Sequence, residues 1–252
     1  MPATKKRLNY AVPALEKGLD ILEILSNSSS PIGLSDLAQQ FGRTRNEIFR
    51  MLNCLEERGY IRRDLVSGGY QLTLKIYQLA HGHTPIEKLL EAAAIPMREL
   101  SHALNESCHL SVLHDQKVVV VAQSEAPTMV HLSVEVGGTF SAFTTVSGRL
   151  LMAFLSEEEL STMIKKEKKR DATQSLPEVL KKIRESKISV ARDETIKGVH
   201  DIATLIGAPK AGFSAALAVS FLGRQERNFK EEEIVQLLKK TATQINQALG
   251  LN

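Results

Sequence analysis

A chain of 252 residues with 43% hydrophobic and 24% charged side chains suits one large or two modest globular domains, not a disordered or fibrous protein. No apolar run approaches the ~20 residues of a membrane helix, and the N-terminus carries no apolar signal core, so a cytoplasmic protein without membrane partners is expected. The net charge of +3 is unevenly placed: residues 1–75 hold 11 Lys/Arg against 8 Asp/Glu and the rest 21 against 21, which hints at a polyanion partner for the N-terminal third. The two cysteines, Cys54 and Cys108, lack metal-ligand spacing and read as buried packing residues of a reducing compartment. Nothing in the composition calls for a cofactor or a metal.

Residues 1–9 (MPATKKRLN) form a basic, irregular arm. From Pro13 the residues Leu15, Leu19, Ile21, Leu22 and Leu25 give a helical stripe, and SNSSSPIG is a loop by composition. A short helix follows at SDLAQQF, with Ser35 as N-cap and Leu37, Ala38 and Phe41 inward, and Gly42 provides a turn. Thr44 with Glu47 three residues on is a capping box. Behind it Ile48, Met51, Leu52 and Leu55 repeat at i, i+3, i+4, i+7, so Asn46, Arg50 and Asn53 fall on the opposite side, with Phe49 on the flank. Gly59 ends this helix. YIRRD and YQLTL, separated by LVSGG, read as a two-stranded hairpin. Helix, helix, turn, helix, hairpin is the order of a winged helix-turn-helix.

LKIYQLAHGH continues helically, and Thr84-Pro85 marks a boundary. A long amphipathic helix over 86–107 is expected to kink at Pro96. The period then shifts toward two in HLSVLH, KVVVVAQS and MVHLSV, predicting three strands. GGTFSAFTT is a loop or short strand, and SGRLLMAFL, SEEELSTMIKKEKKR (Ser156 as N-cap) and LPEVLKKIRESK are helices. Strands return at ISVA, VHDIATLI and FSAALAVSFL, and FKEEEIVQLLKKTATQINQAL closes the chain as a helix. Helices around a mainly antiparallel sheet make the second part an α+β domain. The expected boundaries are 1–73 for the winged helix-turn-helix, 74–86 for a linker helix and 87–252 for the second domain.

In this order, the blocks ALEKGLDILEILS, GLSDLAQQFGRTRNEIFRMLNCLEERGYI, YQLT, VGGTFSAFTTVSGRLLMAFL, SEEEL and ALAVS resemble the IclR family of bacterial transcription regulators, from Ala11 to about Leu251. The resemblance implies a winged helix-turn-helix, a linker helix and an effector-binding domain with a GAF-like fold. It also implies a homodimer or tetramer on double-stranded DNA with a pseudo-palindromic operator, switched by a small-molecule effector such as an organic acid or polar metabolite. The regulated genes would form a catabolic or transport operon, with repression the expected mode.

A winged helix-turn-helix sets the start of its second helix against base edges in the major groove. Arg43, Thr44, Arg45 and Asn46 occupy that tip, and arginine and asparagine suit guanine and adenine edges respectively. Arg50 and Asn53 lie further along the groove side, and Phe49 suits a sugar or a thymine methyl. Lys5, Lys6 and Arg7 form an arm for the neighbouring minor groove, and Arg62 of the hairpin suits a phosphate. The bland alternative is a solvated amphipathic helix.

Mapped onto this chain, the family's effector pocket falls on Met129, Leu132, Val146, Ser147, Val199, Asp201, Ala218 and Ser220. The backbone amides of 146–148, at a helix start, suit an anionic group. The chain departs from its relatives at three places. Phe143 replaces a common histidine, Arg149 a common lysine and Asp201 a common cysteine. A pocket carboxylate repels a simple acid unless paired, with His200 for example. Two other classes account for parts of the pattern. A ligand-sensing adaptor would bind protein through the winged helix. An enzyme would draw on His200 and Asp201, on the pair His109/His114, or on Ser147 as nucleophile, but the chain contains no nucleophile elbow, phosphate loop, HExxH or CxxC, and no catalytic residues are expected.

Overall fold

The computed structural model describes residues 12–81, 85–167, 176–194, 196–208, 213–223 and 229–251. The chain falls into two units, Met1–Thr84 and Pro85–Asn252. Among the described residues, no helix is long and apolar enough to cross a membrane.

The first unit opens with α1 (Pro13–Ser26), α2 (Leu34–Phe41) and α3 (Arg45–Glu57). Ile21, Leu25, Leu37, Ile48 and Leu52 meet in its core. Each fully buried aliphatic side chain contributes roughly 1.5–3 kcal/mol. The α1 stripe is split by this packing. Ile21 and Leu25 face the core, whereas Leu15 and Leu19 are 60% and 51% exposed, so only part of the helical stripe turns inward. Stepping 100° per residue turns Leu15 and Leu19 well away from Ile21. Gly33, not Ser35, is the N-cap of α2, because helical geometry already begins at Leu34. Gly42 closes α2 with φ of 57°, the left-handed conformation that glycine adopts without penalty.

The hairpin consists of β1 (Ile61–Arg63) and β2 (Tyr70–Leu72). Ile32, in the stretch read as loop, adds an isolated bridge to Tyr70. The turn is organised by Asp64, whose Oδ2 accepts from the Ser67 backbone N–H and hydroxyl, both at 2.7 Å. Thr73 then holds the start of α4 (Lys75–His81), its hydroxyl accepting from the Lys75 N–H at 3.1 Å.

The second unit carries one six-stranded sheet, every pair antiparallel, in the order β5-β4-β3-β8-β7-β6. The strands are β3 (Cys108–His114), β4 (Lys117–Ser124), β5 (Thr139–Ser141), β6 (Ile188–Arg192), β7 (Val199–Ala208) and β8 (Phe213–Leu222). One face packs on α5 (Pro85–Leu104) and α9 (Glu231–Ala248) through Leu100, Leu110, Leu217, Phe221 and Leu238. The other packs on α6 (Val146–Met152), α7 (Glu157–Lys166) and α8 (Leu176–Ser186) through Leu150, Leu151, Met163, Leu180 and Ala203. Helix α5 continues through Pro96 without a break in its assignment.

One predicted strand does not form: residues 129–134 are irregular. β5 takes the outer edge of β4 only at Lys117–Val119, against Thr139–Ser141. The segment is tied instead by a side chain, Gln123, whose amide donates to Ser133 Oγ at 2.7 Å and accepts from the Val134 N–H at 2.8 Å.

Candidate functional site

In the first unit the chemistry lies at the start and on the outer face of α3. The capping box is present: Thr44 Oγ1 accepts from the Glu47 N–H, and Glu47 Oε2 accepts from the Thr44 N–H, both at 3.4 Å. Glu47 also accepts from Lys17 Nζ of α1 at 3.1 Å. The Lys17 bond, then the bond from the Thr44 backbone, holds its carboxyl below the usual range. The only acid between Arg43 and Leu55 is thus turned to the helix start and to α1.

Arg43, Arg45, Asn46 and Arg50 are exposed, Phe49 is 43% exposed and Asn53 is half-buried. The guanidinium groups of Arg43, Arg45 and Arg50 have no hydrogen-bond or ion-pair partner among the described residues. An exposed cationic and amide face, purged of acid and held on a capped rigid helix, suits a polyanion with hydrogen-bonding edges.

In the hairpin both Arg62 and Arg63 are exposed. Arg63 is tied down, donating from Nε to the Gly68 carbonyl at 2.9 Å with its guanidinium 5.9 Å from the Tyr70 ring centre. Arg62 lies beside the Gln71 amide across the hairpin. Cys54 is exposed on the α3 flank, which corrects the reading of both thiols as buried; Cys108 is. The basic arm with Lys5, Lys6 and Arg7 lies outside the described residues.

The second unit carries a cavity of about 150 Å³, open on one side, between the sheet and the start of α6. A void of that size, lined by apolar groups, holds a benzene-sized molecule. Register decides its walls. Asp201 of β7 sits opposite Ser220 of β8, and His109 and Ser111 of β3 sit opposite Ala218 and Ala216 of β8, all on one face. A bulge in the β3–β4 pairing at Leu110/Ser111 then brings Val120 and Val118 to that face.

Of the residues mapped by resemblance, Leu132, Val146, Ser147, Val199, Asp201 and Ser220 line this cavity. Two do not, and those positions are corrected. Met129 is fully exposed in the irregular segment. Ala218 faces the right side of the sheet but is covered by the α6 core. The mapping missed His109, Ser111, Val118, Val120, Phe140 and Ile196. The alternation in HLSVLH already set His109 and Ser111 on one face; the pairing of β3 with β8 was the absent information.

The polar lining is unevenly satisfied. Ser220 donates to Asp201 Oδ1 at 2.5 Å. Burial still raises the Asp201 carboxyl above its ordinary range, against that bond, with Glu194 adding to the rise and Arg149 and His200 opposing it. Arg149 itself is paired with Glu194 at 2.6 Å and lines a separate cleft against α8 and α9. Burial pushes His109 down to about 4, so its ring is neutral at physiological pH. The hydroxyls of Ser111 and Ser147, 0% and 3% exposed, have no partner among the described residues. A buried hydroxyl left unpaired costs about 1–3 kcal/mol. At the start of α6, Thr145 Oγ1 accepts from the Gly148 N–H at 3.2 Å, so the anion seat expected there is partly capped from within.

The proposed acid–base pairs separate. His200 and Asp201 are neighbours on a strand and point to opposite faces, His200 stacking on Phe221 at 5.7 Å between ring centres. His109 and His114 are five residues apart on β3, roughly 17 Å along the strand, and His114 is exposed.

Residues 14–65 match the IclR helix-turn-helix domain, and residues 84–247 match the C-terminal domain of bacterial transcriptional regulator IclR. The chain is similar to the HTH-type transcriptional regulator KdgR of Escherichia coli K12, 24% identical over 247 residues, 95% of this chain and 94% of KdgR. It is similar to the HTH-type transcriptional repressor AllR of the same strain, 26% identical over 94% of this chain and 90% of AllR. Among solved structures it is similar to an IclR homolog of Microbacterium hydrocarbonoxydans complexed with 4-hydroxybenzoate, with a TM-score of 0.80, 18% identity, and coverage of 94% of this chain and 99% of that one. The IclR of Thermotoga maritima gives a TM-score of 0.71 at 22% identity, covering 95% and 100%. These two likenesses carry the fold. With both domains matched in order, the second over more than half of its length, the chain belongs to the IclR family of bacterial transcriptional regulators: it is a DNA-binding regulator of transcription and not an enzyme.

Proposed function

We propose that this regulator is a cytoplasmic repressor of a catabolic or transport operon, in which a small molecule bound in the cavity of the second unit switches operator affinity. The division of labour follows 1–73 for DNA, 74–86 for the linker and 87–252 for effector and assembly. The observation that carries the reading is the outer face of α3, where Arg43, Arg45 and Arg50 stand exposed and unpaired among the described residues. Arg45, Asn46 and Arg50 read base edges or adjacent phosphates, Phe49 lies against sugar or a thymine methyl, and Arg62 steadies the hairpin on the backbone. The basic arm Lys5-Lys6-Arg7 takes the neighbouring minor groove.

Repression is supported by AllR, itself a repressor. A homodimer or tetramer is supported by the exposed Leu15 and Leu19 on α1, which leave an apolar face on the unit that must pair to read two half-sites. Those half-sites would sit ~34 Å apart, or a multiple, in a pseudo-palindrome. The solved relative that carries 4-hydroxybenzoate supports a compact, ring-sized effector class.

The test is fluorescence anisotropy with labelled DNA from upstream of the regulator's own gene, over a salt series. Selective binding that weakens with salt is expected. Arg45→Ala and Arg50→Ala should each weaken it by about 1–3 kcal/mol if they touch bases. Binding to protein partners with no selective DNA binding would overturn the reading.

A further inference from the structure

The family's pocket is expected to take small acids, yet the wall of this cavity is arranged for the opposite charge. Among the described residues that line it, Asp201 is the one acid, the His109 ring is neutral and the other polar lining groups are hydroxyls. No lysine or arginine among the described residues lines it; Arg149, a cation acting on Asp201, is engaged by Glu194 and lines another cleft. Ser220 satisfies Oδ1 of Asp201, and Oδ2 has no partner among the described residues. The helix start that would have seated an anion gives its Gly148 N–H to Thr145. A carboxylate entering here faces the Asp201 carboxyl and finds no cation in the described lining to pair with.

Resting on the reading of this cavity as the effector site, we infer that the effector is a small primary amine whose ammonium is bound by Asp201, with a short apolar body against Val118, Val120 and Val199 and a second polar group on Ser111 and Ser147. An ammonium supplies three donors and a full positive charge to a carboxyl that has no cation beside it in the cavity wall and, among the described residues, no partner for Oδ2. The apolar walls and the volume of about 150 Å³ limit the body to roughly one six-membered ring. The two buried, unpaired hydroxyls then discriminate among amines, because a ligand hydroxyl or amide that reaches them relieves groups otherwise left unsatisfied.

Isothermal titration calorimetry of the full chain with benzylamine, benzyl alcohol and benzoate separates charge from shape, since the three share a ring and differ in their head group. Benzylamine should bind about tenfold or more tighter than benzyl alcohol, and benzoate weakest of the three. In Asp201→Asn, whose amide oxygen still accepts from Ser220, the amine should lose that advantage and fall level with the alcohol. Ser147→Val, which intrudes into the cavity without touching the carboxylate, should weaken all three together. Benzoate binding as tightly as the amine, or no binding of the amine at all, overturns the inference. If that benzoate binding is lost in Ser147→Val, the cavity stands as the effector site and only the ammonium assignment fails. If the wild type prefers the amine but neither substitution changes its binding, the compound sits elsewhere and the reading of the cavity itself fails.

Discussion

His109 makes the cavity wall sensitive to acid. It is half-buried on β3 with both ring nitrogens lacking a partner among the described residues, and burial lowers it from 6.5 to about 4. The folded protein therefore carries a neutral ring over a range where the unfolded chain binds a proton. The stability linked to this group is fully present above pH 6.5 and is lost as pH falls from there toward about 4. The total is about 3 kcal/mol from a shift of that size. Urea unfolding of wild type and His109→Gln between about pH 7 and pH 4.5 should show a steeper loss in the wild type. Parallel curves would mean that His109 takes up its proton without disturbing the fold.

Between elements, the contact that shapes the cavity is backbone on backbone. A Cβ on Gly148 would lie 2.2 Å from the Ala142 carbonyl oxygen and 2.3 Å from its Cα, so α6 seats directly on the chain that follows β5. Gly148→Ala should push α6 off the sheet and cost about 3 kcal/mol or more, since neither backbone can yield as a side chain would. Its melting temperature checks this, and an unchanged value would show that the helix start has room to slide. Elements that depend on near neighbours were legible in the sequence. The Thr44/Glu47 box, the Ser156 N-cap and the Ile48–Leu55 stripe are settled within one or two turns. What failed depended on distant partners. The alternation in MVHLSV is real, but the segment is held by the Gln123 side chain and not by a backbone ladder. Leu15 and Leu19 belong to an apolar pattern wider than the core they border. The cavity was half legible through the resemblance, whereas His109, Ser111, Val118 and Val120 enter it only through strand order and a bulge that no local pattern encodes.

At the scale of the assembly, the proposed pairing of two copies rests on the exposed apolar face of α1. One winged helix-turn-helix presents one α3 and so one half-site's worth of base contacts, and selective operators are read by two copies at fixed spacing. Leu19 is 51% exposed on α1, and placing a charge there costs the isolated unit little, within ~0.5 kcal/mol for a surface position. At the centre of an apolar interface the same charge is buried without a partner and costs several kcal/mol of association. Leu19→Glu should therefore keep the thermal stability of the winged helix but separate the DNA-binding halves. Because each half then binds its half-site alone, affinity for the full operator should fall by about 100-fold, while the weak, salt-dependent affinity for arbitrary DNA persists. Light scattering of the free protein and anisotropy on the operator measure the two consequences independently. If the second unit holds the chains together, scattering still reports a dimer, yet the operator affinity falls because the two reading heads are no longer held at fixed spacing. Unchanged operator affinity in Leu19→Glu would remove α1 from the interface, whatever the scattering shows.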